Sequence, residues 1–337
     1  MTEGGRRRAA FAVLAALLPL TVMVAVAFGS VRLPLLSTLG SLGLPIGGRL
    51  SPPAEAILWS VRVPRVLLAA VVGGGLAVVG AALQSVFRNP MADAGLLGVG
   101  PGAAFGAVLA VRSGVSETFL GLPASAFAGA VAASLAVYVL ARATGRATLS
   151  GLLLTGLAVS ALAAAGTSIL LVATEEFRVK AVLFWLAGGL EGRGWPHLRL
   201  AAAAVAAGGL ALLALSRPLD VLALGEEEAA SLGLRVHLTR VAILAVASLI
   251  AGAATAASGS VPFVGLIAPH ALRPAVGPLA RHLLPAAFLA GAALVVAADL
   301  AARTLSDRLD LPLGSLTAFI GAPYFLFALK ALDEQRS

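Results

Sequence analysis

The sequence predicts an all-α, polytopic membrane protein of about ten transmembrane helices, and three observations carry that reading. Of 337 residues, 59% are hydrophobic and 12% charged, whereas water-soluble domains run near half apolar and a quarter charged. The apolar residues fall in runs of about 20, the length that crosses a bilayer as a helix. Gly, Pro and Arg punctuate the runs, and the longest hydrophilic pieces, residues 30–61 and 174–196, leave no room for a separate soluble domain. A single transmembrane domain over residues 1–337 follows.

The runs lie at 9–29, 64–86, 95–112, 119–141, 150–173, 197–216, 237–257, 261–275, 283–303 and 313–331. The first follows Arg6, Arg7 and Arg8 and carries Ala25 and Ala27 where a secretory leader has small residues. It is nevertheless as long as a true span and many spans follow, so it reads as the first of them. Between the second and third runs, Pro90 sets a turn whose backbone Asn89 can satisfy. The fifth run carries Gly156, Ser160, Ala164 and Ser168 at i, i+4 spacing, with Thr155 and Thr167 beside them; such a face permits close helix packing. Between the sixth and seventh runs, residues 217–236 hold an acidic segment. There Asp220 can cap a short helix, Glu226, Glu227 and Glu228 favour the positive end of the next, and Gly233 suits its stop. The eighth run is short and contains Pro262 and Pro269. It predicts a half-length or broken helix, tolerable in a membrane only when buried in protein.

Several function classes are excluded. The net charge of +8 is spread among loops without a basic face, which argues against nucleic acid. There is no cysteine, hence no thiolate nucleophile or cysteine metal site. His197, His237, His270 and His282 lack i, i+4 ligand pairing and read as capping or interfacial groups, not a metal site. No G-x-S-x-G elbow occurs. A phosphate-binding loop needs Gly-Lys-Ser/Thr, yet the two lysines, Lys180 and Lys330, follow Val179 and Leu329. Only Asp299 and Asp93 approach membrane depth, both near span ends, which disfavours a self-sufficient ion-coupled transporter.

Lys and Arg are nearly balanced between the two sides, so their count does not orient the chain. With the N-terminus inside, Arg62, Arg65 and Arg303 face outward. Guanidinium forks there suit partner carboxylates; equally, they can snorkel to headgroups, and Arg303 can pair with Asp299 along one helix.

Three stretches taken together resemble a known family. They are Arg62 to Ala107 ("RVPRVLLAAVVGGG…GPGAAFGA"), the acidic segment 219–234, and Gly259 to Lys330 ("GSVPFVGLIAPHALRPAVGP…DLPLGSLTAFIGAPYFLFALK"). This pattern is similar to the permease subunits of type II ABC importers for iron complexes and cobalamin, over about residues 60–331. The resemblance implies a homodimer around a central route in a bacterial inner membrane, with both termini cytoplasmic. It also implies two separate ATPase subunits, which carry the ATP and magnesium, and a substrate-binding protein on the far side. The chain itself would hold no cofactor, and its other contact is membrane lipid.

The resemblance further makes Asp220, Gly225, Glu226, Glu227, Glu228, Ala229, Ser231, Leu232 and Gly233 the element coupled to the ATPase. It makes Arg62, Arg65 and Arg303 docking groups for the binding protein. Thr155, Gly156, Ser160, Ala164, Thr167 and Ser168, with Thr317 and Gly321 of the tenth span, would line the route. The expected cargo is haem or another iron chelate, with cobalamin as the alternative; His197 near the outer mouth is the one group suited to touch a haem iron.

Overall fold

A computed structural model describes residues 2–29, 33–43, 45, 48–118, 120–144, 148–305 and 311–334. Among the described residues the chain is helical, without strands. Helix α1 (Glu3–Ala27) begins where the Thr2 hydroxyl accepts from Gly5 N at 3.3 Å. Two short helices follow, α2 (Leu35–Ser41) and α3 (Pro52–Ile57). A π-helical turn at Leu58–Arg62 joins α3 without a break to α4 (Val63–Val86). The order continues α5 (Val99–Arg112), α6 (Gly121–Ala143), α7 (Leu149–Val172), α8 (Glu176–Leu186) and α9 (Trp195–Ala214). Then come α10 (Ser216–Leu222), α11 (Glu226–Ser231), α12 (Val236–Ser258), α13 (Val264–Val276), α14 (Ala280–Thr304) and α15 (Leu313–Glu334).

Each of the ten predicted runs is a helix. Seven of the described helices are long and apolar enough to cross a bilayer, and α5 and α15 are shorter apolar ones. The eighth run begins later than expected, at Val264, and gives the 13-residue α13 with Pro269 inside it. The short, polar-flanked helices α2, α3 and α8 lie in stretches that read as connections.

Helix α4 is the axis of the bundle. Nearly its whole surface is buried, against α14 most extensively and against α9, α12 and α13. Lipid tails are as apolar as leucine, so close backbone approach rather than hydrophobic exclusion must hold such helices together. Glycine supplies it: a Cβ on Gly73 would strike the Gly291 carbonyl of α14, and one on Gly80 the Gly265 carbonyl of α13. Beside the second crossing, Gln84 Nε2 donates to Gly265 O at 3.1 Å while its Oε1 accepts from Arg273 Nη2 at 3.1 Å.

The irregular backbone between α12 and α13 meets the requirement that it be shielded by protein. Gly188, Gly259 and Gly314 converge there, each so close to a neighbouring carbonyl that a side chain would collide with it. Gly189 N also donates to Ser258 O at 2.8 Å. The ends of α8, α12 and α15 are thereby fastened at one point.

Candidate functional site

The bundle has two chemically different ends. At one, α10 and α11 form the acidic loop. Gly225 starts α11 at φ +142, a conformation open only to glycine. Glu226, Glu227 and Glu228 occupy the first turn, where the helix dipole favours carboxylates. The stop is a Schellman motif: Gly233, at φ +81, donates to Ala230 O at 2.9 Å and Leu234 N to Ala229 O at 3.0 Å. Ala229 is buried, whereas Glu227, Ser231 and Leu232 are exposed. Leu224 and Leu232 present exposed apolar surface on either side of the glutamates.

Two of the acids in this loop act inward. Asp220 lies within α10 and does not cap its own helix as the sequence suggested; its Oδ1 accepts from Ala280 N at 2.7 Å and so caps α14. Glu226 forms an ion pair with the buried Arg240 of α12. The acidic loop is thus tied to both α12 and α14. Nearby, Asn89 Oδ1 accepts from Met91 N at 2.9 Å, the turn contact expected of the Asn89-Pro90 pair. Asp93 caps the turn at Ala94–Leu97 by accepting from Gly95 N at 2.9 Å. Burial pushes its carboxyl above the usual range, against the pull of the Gly95 and Leu96 amides.

At the other end the three predicted arginines come together, but not as an outward-facing row. Arg65 donates to Asp299 Oδ1 through Nε (3.0 Å) and Nη2 (2.9 Å), and Arg303 Nε lies 2.9 Å from Asp299 Oδ2. Arg62, in the π turn, is only 4% exposed and donates through Nη1 to Val26 O (2.9 Å) and Ala27 O (2.7 Å). Arg303 Nη2 donates to Ala25 O at 3.1 Å and Nη1 to Phe28 O at 3.3 Å. The physical logic is plain. A helix ends with carbonyls that lack intrahelical donors and carry partial negative charge; here Arg62 and Arg303 supply the donors for α1. Gly29 lets the chain pass over them, since a Cβ there would sit 2.9 Å from Arg303 Nη1. The outward orientation expected of Arg62 is therefore corrected: it is a buried cap on α1. Arg65 keeps 17% of its side chain exposed and is the most accessible of the three.

The two halves of the predicted route are not brought together on one face. On α7, a Cβ at Gly156 would meet the Leu96 carbonyl and Ser160 is half-buried near Gly98, whereas Ala164 and Ser168 are exposed. The hydroxyls of Thr155, Thr167 and Ser168 bond back to the carbonyls of Gly151 (2.8 Å), Ala163 (2.8 Å) and Ala164 (3.1 Å). The stripe is therefore weakly polar outwards. Thr317 and Gly321 instead pack inside the protomer: Thr317 lies with Pro262, Val264 and Leu294, and a Cβ on Gly321 would meet the Phe263 ring. The exposed face of α15 is Phe319, Leu326 and Phe327. His197 is buried at the start of α9, its Nδ1 3.4 Å from Gly194 N.

Comparison with known proteins places this architecture. The chain is 44% identical over 277 residues to the cobalamin import system permease protein of Halobacterium salinarum, covering 82% of this chain and 74% of that one. It is 36% identical over 326 residues to the hemin transport system permease protein of Yersinia pestis, covering 94% and 96%. A solved structure described as an inward-facing conformation of a metal-chelate type ABC transporter superposes with a TM-score of 0.83 at 32% identity, over 96% of this chain and 99% of that one. Residues 17–331 match the family model, and the chain belongs to the FecCD transport family.

Proposed function

We propose that this protein is the permease subunit of an ATP-driven importer that carries haem or another iron chelate across a bacterial inner membrane. Two copies surround the route, with both termini cytoplasmic. The observation that carries the reading is that one continuous bundle, alike over nearly its full length to a hemin permease, is built differently at its two ends. The α10–α11 end presents exposed acids flanked by exposed leucines, a surface suited to a groove on a separate ATPase subunit that binds ATP and magnesium. The opposite end presents Arg65 at the rim of a buried arginine cluster, suited to carboxylates on a substrate-binding protein. A second reading, cobalamin as cargo, is favoured by the 44% identity to a cobalamin permease.

The deciding test is uptake of radiolabelled haem, ferric siderophore and cobalamin into liposomes holding the permease with its ATPase and binding protein. ATP-dependent accumulation of an iron chelate supports the first reading; accumulation of cobalamin alone supports the second; transport without ATP removes both. A companion prediction concerns α7. Ser160→Trp is expected to leave the thermal midpoint and ATP hydrolysis near those of the parent while abolishing uptake, because the half-buried Ser160 borders the exposed lower half of the stripe. A clear fall in midpoint would make this a packing face.

A further inference from the structure

A cavity of about 570 Å³ opens at the arginine end between the C-terminal end of α5, helix α8, residues 188–193 and the start of α15. Its size falls among ligand pockets, which run roughly 300–1,000 Å³. Phe184, Trp185 and Leu313 give it apolar walls, and Arg65, Arg178 and Arg193 face Glu117 and Glu191 across its rim. The converging glycines that fasten α8, α12 and α15 lie at its edge, through Gly188 and Gly189.

The cations are not equivalent. Arg65 is held by Asp299. Arg178 is committed to Glu117 at 3.3 Å, to Glu175 at 3.2 Å and to Val111 O at 3.1 Å. Arg193 has no carboxylate partner among the described residues, and its side-chain bond is a long one, 3.5 Å from Nη1 to His197 Nε2. That bond competes with another. A neutral imidazole has one acceptor nitrogen, yet Gly194 N approaches His197 Nδ1 at 3.4 Å, so the ring serves the amide or the guanidinium, not both.

Two donors on this cavity are buried without any acceptor among the described residues: Arg193 Nε and Trp185 Nε1. Leaving a buried donor unsatisfied costs about 1–3 kcal/mol, more for a charged group. Natural structures therefore rarely carry two beside one cavity unless something fills it. The required filler has acceptor oxygens and negative charge, to answer a planar guanidinium and an indole N–H, and an apolar part to lie against Phe184 and Trp185.

We propose that this cavity is a recognition subsite for a small carboxylate-bearing molecule, held by Arg193 and Trp185. The inference rests on the importer reading for its biological sense, since such a site would select for carboxylated chelates, but its binding chemistry is tested separately. The full-length permease with its ATPase subunits, in nanodiscs and without binding protein, is dialysed to equilibrium against radiolabelled citrate and against ferric dicitrate, with glycerol as uncharged control.

Saturable binding of at least one carboxylate probe, absent for glycerol, is expected. Arg193→Gln should weaken it about tenfold or more, and Trp185→Phe, which keeps the ring and removes only the donor, by roughly threefold. No saturable binding by the parent, or binding unchanged in both variants, overturns the proposal. So does a third outcome, in which citrate fails to bind while both variants weaken association of the binding protein; the cavity would then receive a protein carboxylate. Failure of the parent to take up any chelate in the liposome assay would sink the importer reading while leaving the dialysis result standing.

Discussion

Asp299→Ala is expected to be the most destabilising single substitution in the chain, lowering the thermal midpoint in detergent by roughly 10 °C, from a loss of about 3–5 kcal/mol. The carboxylate is 1% exposed and lies between Arg65 and Arg303. Removing it leaves two cations, both largely withdrawn from solvent, beside a third, Arg62, with only the carbonyls of α1 to oppose them. Asp299→Asn should lose less, because it keeps an acceptor oxygen. An Asp299→Ala midpoint equal to the parent's would mean that the arginines are solvated after all. The same geometry decides how docking must be probed. Reversing Arg62 would put a carboxylate against the α1 carbonyls and damage the fold, so Arg65→Gln is the informative change.

Glu226→Lys should abolish stimulated ATP hydrolysis and transport, a loss of at least about tenfold, while Glu227→Lys should weaken ATPase association with the midpoint unchanged. The two neighbours differ in what they touch. Glu226 holds the buried Arg240, so a lysine there repels a cation of α12 and frees α11 from the bundle. Glu227 is exposed and can act only on a partner. Exchanging the charges, Glu226→Arg with Arg240→Glu, should restore part of the activity that Glu226→Lys removes. Equal loss in Glu226→Lys and Glu227→Lys, with no recovery in the exchange, would place both glutamates in the partner contact instead.

The spans were legible because a bilayer demands length and apolarity, and both are local properties of sequence. The short α13 was legible for the same reason, from Pro262 and Pro269 in a run too short to cross. What escaped was set by partners distant in the chain. Asp220 reads as a cap for its own helix, but its partner is Ala280, 60 residues on. Arg65 reads as a surface charge, but Asp299 lies 234 residues away. Helix α8 hides in a stretch whose charges, Glu175, Glu176, Arg178 and Lys180, mark it as connection, although its Val182 and Trp185 are buried. Arg193 and Trp185 carry no motif; only the cavity between them gives their unused donors meaning.

Helix α14 begins at the amide capped by Asp220 and, about 28 Å along its axis, reaches Asp299. One rigid body therefore ends in the acidic loop on one side and in the arginine cluster on the other. Rigid connection makes the exchange between the ends symmetrical: whatever free energy a ligand at one end gains by preferring one tilt of α14 is felt undiminished at the other. Linkage then requires equal factors in both directions. If docking at the arginine end tightens nucleotide binding by the ATPase fivefold, nucleotide must tighten docking fivefold, and a substitution that loosens Asp220 from Ala280 must lower both together.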